Sequence, residues 1–194
     1  GAQVSARTFG AGDGGEIRLG AGQNPAVASV RVEAGGTITT STSGAGNAGA
    51  ISIRADSLLL GGGAVAASVE SSATDLDGGV LGGAGRINIT AGELSIGSLG
   101  RVATDTASDS FASGAGEAGS PADIIVSARR LIIDGSADST ALESSLTGGQ
   151  PTVDFTGISS NSSGLARGGN IVLDLSEGAA IERGLVVASA SGAG

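Results

Sequence analysis

Short runs of alternating apolar and polar residues recur along this chain in a fixed order. The plainest copy reads Gly49-Ala50-Ile51-Ser52-Ile53-Arg54-Ala55, then Leu58-Leu59-Leu60, then Gly63-Ala64-Val65-Ala66. The first run returns around Ile17, Ile87, Ile124 and Ile171. The second returns at Val30–Val32, Leu94–Ile96, Leu131–Ile133 and Ala179–Ile181. The third is anchored at Val4, Ile38, Val65, Val102, Ile158 and Val186. Period-two alternation bounded by glycine predicts short strands with one buried face. No apolar stripe at i, i+3, i+4 and i+7 is sustained over ten residues, so no helix is predicted.

The spacings hold more tightly than the residues. Ile51 to Leu58, Ile87 to Leu94 and Ile124 to Leu131 each span seven positions, and Ile171 to Ala179 spans eight. From a third anchor to the next first anchor the count is thirteen after Val4, Ile38 and Ile158, and twenty-two after Val65 and Val102. Length varies only at the three junctions between runs, which describes a three-cornered coil with insertions at its corners. One such coil cannot bury its own apolar face. Stacked at roughly 4.7–4.9 Å, each strand gains a parallel neighbour above and below.

The predicted fold is therefore all-β: a parallel β-helix of about five three-stranded coils, one segment over residues 1–194. In register, Ile17, Ile51, Ile87, Ile124 and Ile171 form one inward column, and Leu19, Ile53, Ile89, Val126 and Leu173 a second. Arg18, Ser52, Asn88 and Ser127 point outward. Insertions fall at Gly20–Ala28, Ser71–Gly83, Asp105–Gly116 and Gly135–Pro151. Gly15, Gly49, Gly85 and Gly169, each two before a first anchor, fit a corner that needs positive φ or close backbone packing. Coil four has Ala122 there, so its corner must differ. The chain opens inside a third-run unit and closes inside a turn, which leads us to expect a piece of a longer array.

Composition narrows the function. Gly accounts for 37 of 194 residues without a Gly-X-Y period, and Cys, His, Met, Trp, Tyr and Lys are absent. An apolar fraction of 40% at period two sets the chain apart from disordered glycine-rich segments. A net charge of −9 opposes binding to nucleic acid or an anionic membrane, both of which need a basic face. No apolar run of eighteen residues exists, so no membrane insertion is expected. Missing Cys and His exclude zinc held by those ligands and Ser-His or Cys nucleophiles.

The run Gly46-Asn47-Ala48-Gly49-Ala50-Ile51-Ser52-Ile53, with Leu58-x-Leu60 and Gly-Ala-Val after it, resembles the repeats of filamentous-haemagglutinin-like exoproteins. The resemblance covers nearly the whole chain. It implies a right-handed β-helix, and export across both membranes of a Gram-negative cell through an outer-membrane transporter partner. It also implies an extracellular, cell-surface place as an adhesin, stalk or filament.

Candidate chemistry is sparse. Asp75 with Asp77, Asp105 with Asp109, and Asp154 are the acids that could serve a β-helix enzyme cleaving acidic polysaccharide, the alternative function. Asp favours solvated turns, and the non-enzymatic reading is preferred. No cofactor is expected; adventitious Ca²⁺ on Asp75 and Asp77 is the one ionic possibility, because hard cations want several oxygens. Phe9, Phe111 and Phe155 are expected to pack at corners. The ridge bearing Asp75, Asp77, Asp105, Asp109 and Phe111, or the Gly135–Pro151 loop, is the expected contact with a cell-surface ligand or a neighbouring copy. Self-association end-to-end or side-by-side is expected with it.

Overall fold

A computed structural model describes residues 1–9, 12–20, 27–33, 35–43, 46–61, 67–74, 82–107, 122–136, 155–163 and 169–191. Among these residues every regular element is a strand, and every strand pairs in parallel. One sheet, here sheet A, stacks β1 (Gln3–Phe9), β4 (Thr37–Ser43), β6 (Ala67–Thr74), β8 (Gly100–Ala107), β10 (Gly157–Ser163) and β12 (Leu185–Ser191) in that order. Sheet B stacks β2 (Ile17–Leu19) and β3 (Val27–Val32) on β5 (Ile51–Leu60). Then come β7 (Ile87–Ile96), β9 (Ile124–Asp134) and β11 (Ile171–Glu182). Along the chain the two sheets alternate.

The expected columns form. Ile17, Ile51, Ile87, Ile124 and Ile171 are register partners through sheet B, as are Leu19, Ile53, Ile89, Val126 and Leu173. In the middle coils these side chains are buried. The first and second runs, expected as separate strands, lie on one continuous strand in β5, β7, β9 and β11. Seven is an odd number, so two inward anchors that far apart need one break in the alternation. On β5 it falls at Asp56 and Ser57, neither of which is buried: Ile51, Ile53 and Ala55 point inward before it, Leu58 and Leu60 after it. The eight-residue version on β11 is a β-bulge. Ser176 and Glu177 sit opposite the single residue Arg129, and Gly178 follows at φ +119°. The insertion in coil one separates β2 from β3, which starts at Val27 opposite Ala55.

Sheet A corrects one anchor. Val69, not Val65, stands in the column with Ile38 and Val102, so the extra residues of coil two lie before the third strand as well as after it. Below that column run two further inward positions with hydroxyls. Thr40, Thr42, Thr104, Thr106, Ser160 and Ser162 are all buried. The strands of sheet A therefore continue beyond their aliphatic anchors, and the segments Ser71–Thr74 and Asp105–Ala107, expected as loop, are strand.

The turn from sheet A back to sheet B has no room for a side chain at its packed glycines. A Cβ on Gly49 would lie 2.0 Å from the Gly15 carbonyl oxygen, one on Gly85 2.1 Å from that of Gly49, and one on Gly169 2.0 Å from that of Ala122. None of these glycines has positive φ, so of the two reasons expected for them, close backbone packing is the operative one. The turns also bond coil to coil: Ile17 N donates to Ala50 O, Ile51 N to Arg86 O, Ile87 N to Asp123 O and Ile124 N to Asn170 O, all at 2.9–3.0 Å. Side chains repeat the ladder. Asp13 Oδ1 accepts both the N–H and Nδ2 of Asn47, whose Oδ1 accepts the N–H of Gly83. At coil four Ala122 is buried against Ala84, and its carbonyl accepts the Thr104 hydroxyl at 3.1 Å and that of Ser160 at 3.4 Å.

At the two outermost coils the core loses cover. Val4 of β1 is 46% exposed, and on the other face Ile181 is 48% and Val186 37% exposed.

Candidate functional site

Asp105 is the one predicted interaction residue among those described. It lies on β8 instead of in a loop, because Thr104 and Thr106 carry the inward alternation past it. Its side chain faces outward in the row Arg7, Ser41, Ser72, Asp105, Asn161, Ser189, one residue per strand of sheet A. Asn161 Nδ2 donates to Asp105 Oδ1 at 3.1 Å, and Ser189 Oγ donates to Asn161 Oδ1 at 2.7 Å. Spaced by the strand repeat, these polar groups link three successive coils. Such a ladder stabilises a sheet face as cross-strand pairs do. Asp75, Asp77, Asp109, Phe111 and Asp154 lie outside the described residues, and with them the rest of the acidic ridge and the calcium candidates.

Beside this row the sheet A face is less polar. Arg101 holds its guanidinium 5.8 Å from the centre of the Phe155 ring, within the range of a cation–π contact. Phe155 is buried, in accord with a corner-packing role. Phe9 is not: at the end of β1 it is 79% exposed. Ala103 and Ser159, neighbours on the outward side of β8 and β10, are buried too. The sequence signal for this region was the outward spacing Arg101-x-Ala103-x-Asp105, which is readable once β8 is extended through the threonines.

On the outward face of sheet B several charges cluster at the break in alternation. Glu93 and Arg130 are register partners there. Arg129 lies across Gly92, its Nη2 3.1 Å from where a Cβ would stand, and its Nη1 comes within 3.8 Å of Glu177 on the bulge. Arg130, Ile132, Glu177, Gly178, Ala179 and Ala180 line an open depression of about 270 Å³. One cation and one anion flank an apolar floor, but both sides are solvent-exposed, and exposed pairs contribute little binding energy. Near the first coil, Glu16 accepts from Arg18 Nη2 at 2.6 Å, and that hydrogen bond holds its carboxyl below the ordinary range.

Among the described residues no three acidic side chains come together as metal ligands would. Nor is any described helix long and apolar enough to cross a membrane. No protein-family model matches the chain, and no significant match emerges from the curated proteins or the solved structures.

Proposed function

We propose that the chain is a right-handed parallel β-helix serving as a structural and adhesive segment of a secreted bacterial exoprotein. In this reading the stacked coils make a rigid rod on the cell surface, exported through an outer-membrane transporter, and the corner loops touch the ligand. The handedness rests on the strong right-handed preference of parallel crossover connections. The supporting observation is the constancy of register against the variability of the corners. Val4, Ile38, Val69, Val102, Ile158 and Val186 share one column although the connections between successive members differ widely in length. A frame that absorbs loops without moving its core suits presentation of loops on a support.

The test is adhesion of bead-coupled protein to epithelial cells, compared with a variant in which 108–121 and 137–154 are shortened to Gly-Ser connections. Retained strand content by circular dichroism with loss of bead attachment is the expected result. Attachment that survives both deletions would move the function to the sheet faces. Release of reducing ends from pectate or alginate by the intact chain would replace this reading with the polysaccharide-cleaving one.

A further inference from the structure

The bulge on β11 makes a hollow on the outward face of sheet B. β9 carries the matching break in alternation, which sets the consecutive residues Arg129 and Arg130 side by side in solvent. Opposite them β11 has one residue more, with Ser176 and Glu177 facing Arg129 alone. The bulge ends at Gly178, whose φ of +119° favours glycine. Gly178 is the register partner of Arg130 and, lacking a side chain, leaves the space beside it empty: a Cβ there would meet nothing within 4 Å. Ile132 and Ala180, the next outward pair on the same two strands, form the floor. The resulting depression of about 270 Å³ opens away from the core, so another coil laid on β11 would leave it open.

The two arginines are not equivalent. Arg129 lies across the bare backbone of Gly92 and reaches Glu177 at 3.8 Å, so the charge of Glu177 is already offset. Arg130 makes no ion pair or side-chain hydrogen bond among the described residues. In a chain of net charge −9, this is an unmatched cation at the mouth of an aliphatic hollow. We propose that the hollow binds a carboxylated sugar residue, a hexuronate, with its carboxylate on Arg130.

Each part of such a residue has a counterpart. The planar guanidinium takes a carboxylate through two parallel bonds. The C–H face of a pyranose ring suits the floor of Ile132 and Ala180, and its hydroxyls can donate to Glu177. The volume lies just under the roughly 300–1,000 Å³ of sites for drug-sized ligands, which fits one ring. An inorganic anion would leave the apolar floor unused, and an alkyl carboxylate would give Glu177 no donor. Both charged walls are solvent-exposed, so the affinity is weak, on the order of millimolar. The inference goes beyond the adhesive reading and needs only this face, so either can fail without the other.

The test is a titration of the full chain with D-galacturonate, following the Nε–Hε resonance of Arg130 by NMR. A saturable shift is expected. D-Galactose, which lacks the carboxylate, and acetate, which lacks the ring, should each need on the order of tenfold more to produce it. Arg130→Gln and Ala180→Glu should abolish the binding, read then from the backbone amide of Gly178, with strand content by circular dichroism unchanged. Arg54→Gln, a change to an exposed cation elsewhere on the same face, should leave it intact. Absence of a saturable shift, or binding that survives Arg130→Gln, overturns the proposal. An equal response to acetate overturns it too, since the site would then read only a bare anion. So does an equal loss from Arg54→Gln, which would assign the effect to the general field of the face.

Discussion

Sheet B places Ile, Leu or Val at four of the five inward positions of its middle strands and Ala at the fifth, whereas sheet A places such a residue at only one inward position in three. The other two carry Thr, Ser or Ala. Both faces are equally hidden from water in the central coils, so burial alone does not explain the difference. What each face meets does. Sheet A's lower rows lie against the glycine–alanine turns, where the nearest polar groups are backbone carbonyls. The hydroxyls of Thr104 and Ser160 bond to each other at 3.0 Å and converge on Ala122 O. Where a turn offers a carbonyl, as at Ala122, buried hydroxyls can be satisfied, which a wall of leucines and isoleucines would not allow.

The sharpest break of this comparison is a charge in the aliphatic face. Ile87 is fully buried, and we predict that Ile87→Asp costs several kcal/mol in chemical denaturation, since a carboxylate there has no partner. Its outward neighbour gives the control: Asn88→Asp should be nearly silent. Equal losses from the two would mean that the faces are assigned wrongly.

The turn wall should be next. In Gly85→Ala the new methyl would meet the backbone of Gly49 and Ala48, which cannot swing aside as a side chain does. A loss of about 2–3 kcal/mol is expected, of the size seen for overpacking. An unchanged denaturation midpoint would show that the stack yields, and that glycine stands there for another reason.

Within sheet A the hydroxyls should split into two kinds. Thr104→Val removes a bonded hydroxyl and should cost about 1 kcal/mol. Thr42 and Ser162 have no hydrogen-bond partner among the described residues. Thr42→Val should therefore leave stability unchanged or raise it by up to about 1 kcal/mol, because an unpaired buried hydroxyl is removed. If both valines behave alike, hydrogen bonding is not what sorts this face.

The smallest effect belongs to the exposed pair in the first coil. Glu16's carboxyl is lower in the folded chain than its ordinary value, principally through the Arg18 hydrogen bond. It favours the folded state above the unfolded carboxyl's pKa and loses that contribution as pH falls through the folded value. The midpoint difference between the parent chain and Glu16→Gln should shrink on acidification. A difference that persists at pH 2 would assign the effect to something other than charge.

Much of the frame was legible because glycine spacing and aliphatic alternation obey the same stacking constraint in every coil. Three readings failed for separate physical reasons. Val65 looked like an anchor because Gly-Ala-Val-Ala repeats locally, yet long-range register selects Val69. Asp105 looked like a loop acid because only aliphatic residues were counted as inward, while Thr104 and Thr106 do that work in sheet A. The first and second runs looked like two strands, because an alternation that changes phase cannot be told in sequence from one that stops. As for the expected interaction loops, Asp75, Asp77, Asp109 and Phe111 fall outside the described residues, and Asp105 alone could be placed.

The common direction of the ladder bonds has a mechanical consequence. In both sheets and in the turns, bonds between coils run along the stacking direction. A pull along that direction therefore loads all the bonds of one coil junction together, and a pull across it shears them. We predict a stack that resists axial extension with little give and then fails coil by coil, the first step being at the junction with the fewest rungs. Between coils one and two, sheet B offers only the three residues of β2 and the short β3 against the ten of β5. Single-molecule stretching between the two outermost strands should therefore release that coil first, as the lowest peak in a sawtooth. A single all-or-none rupture would mean that the coils share load across junctions instead of yielding in turn.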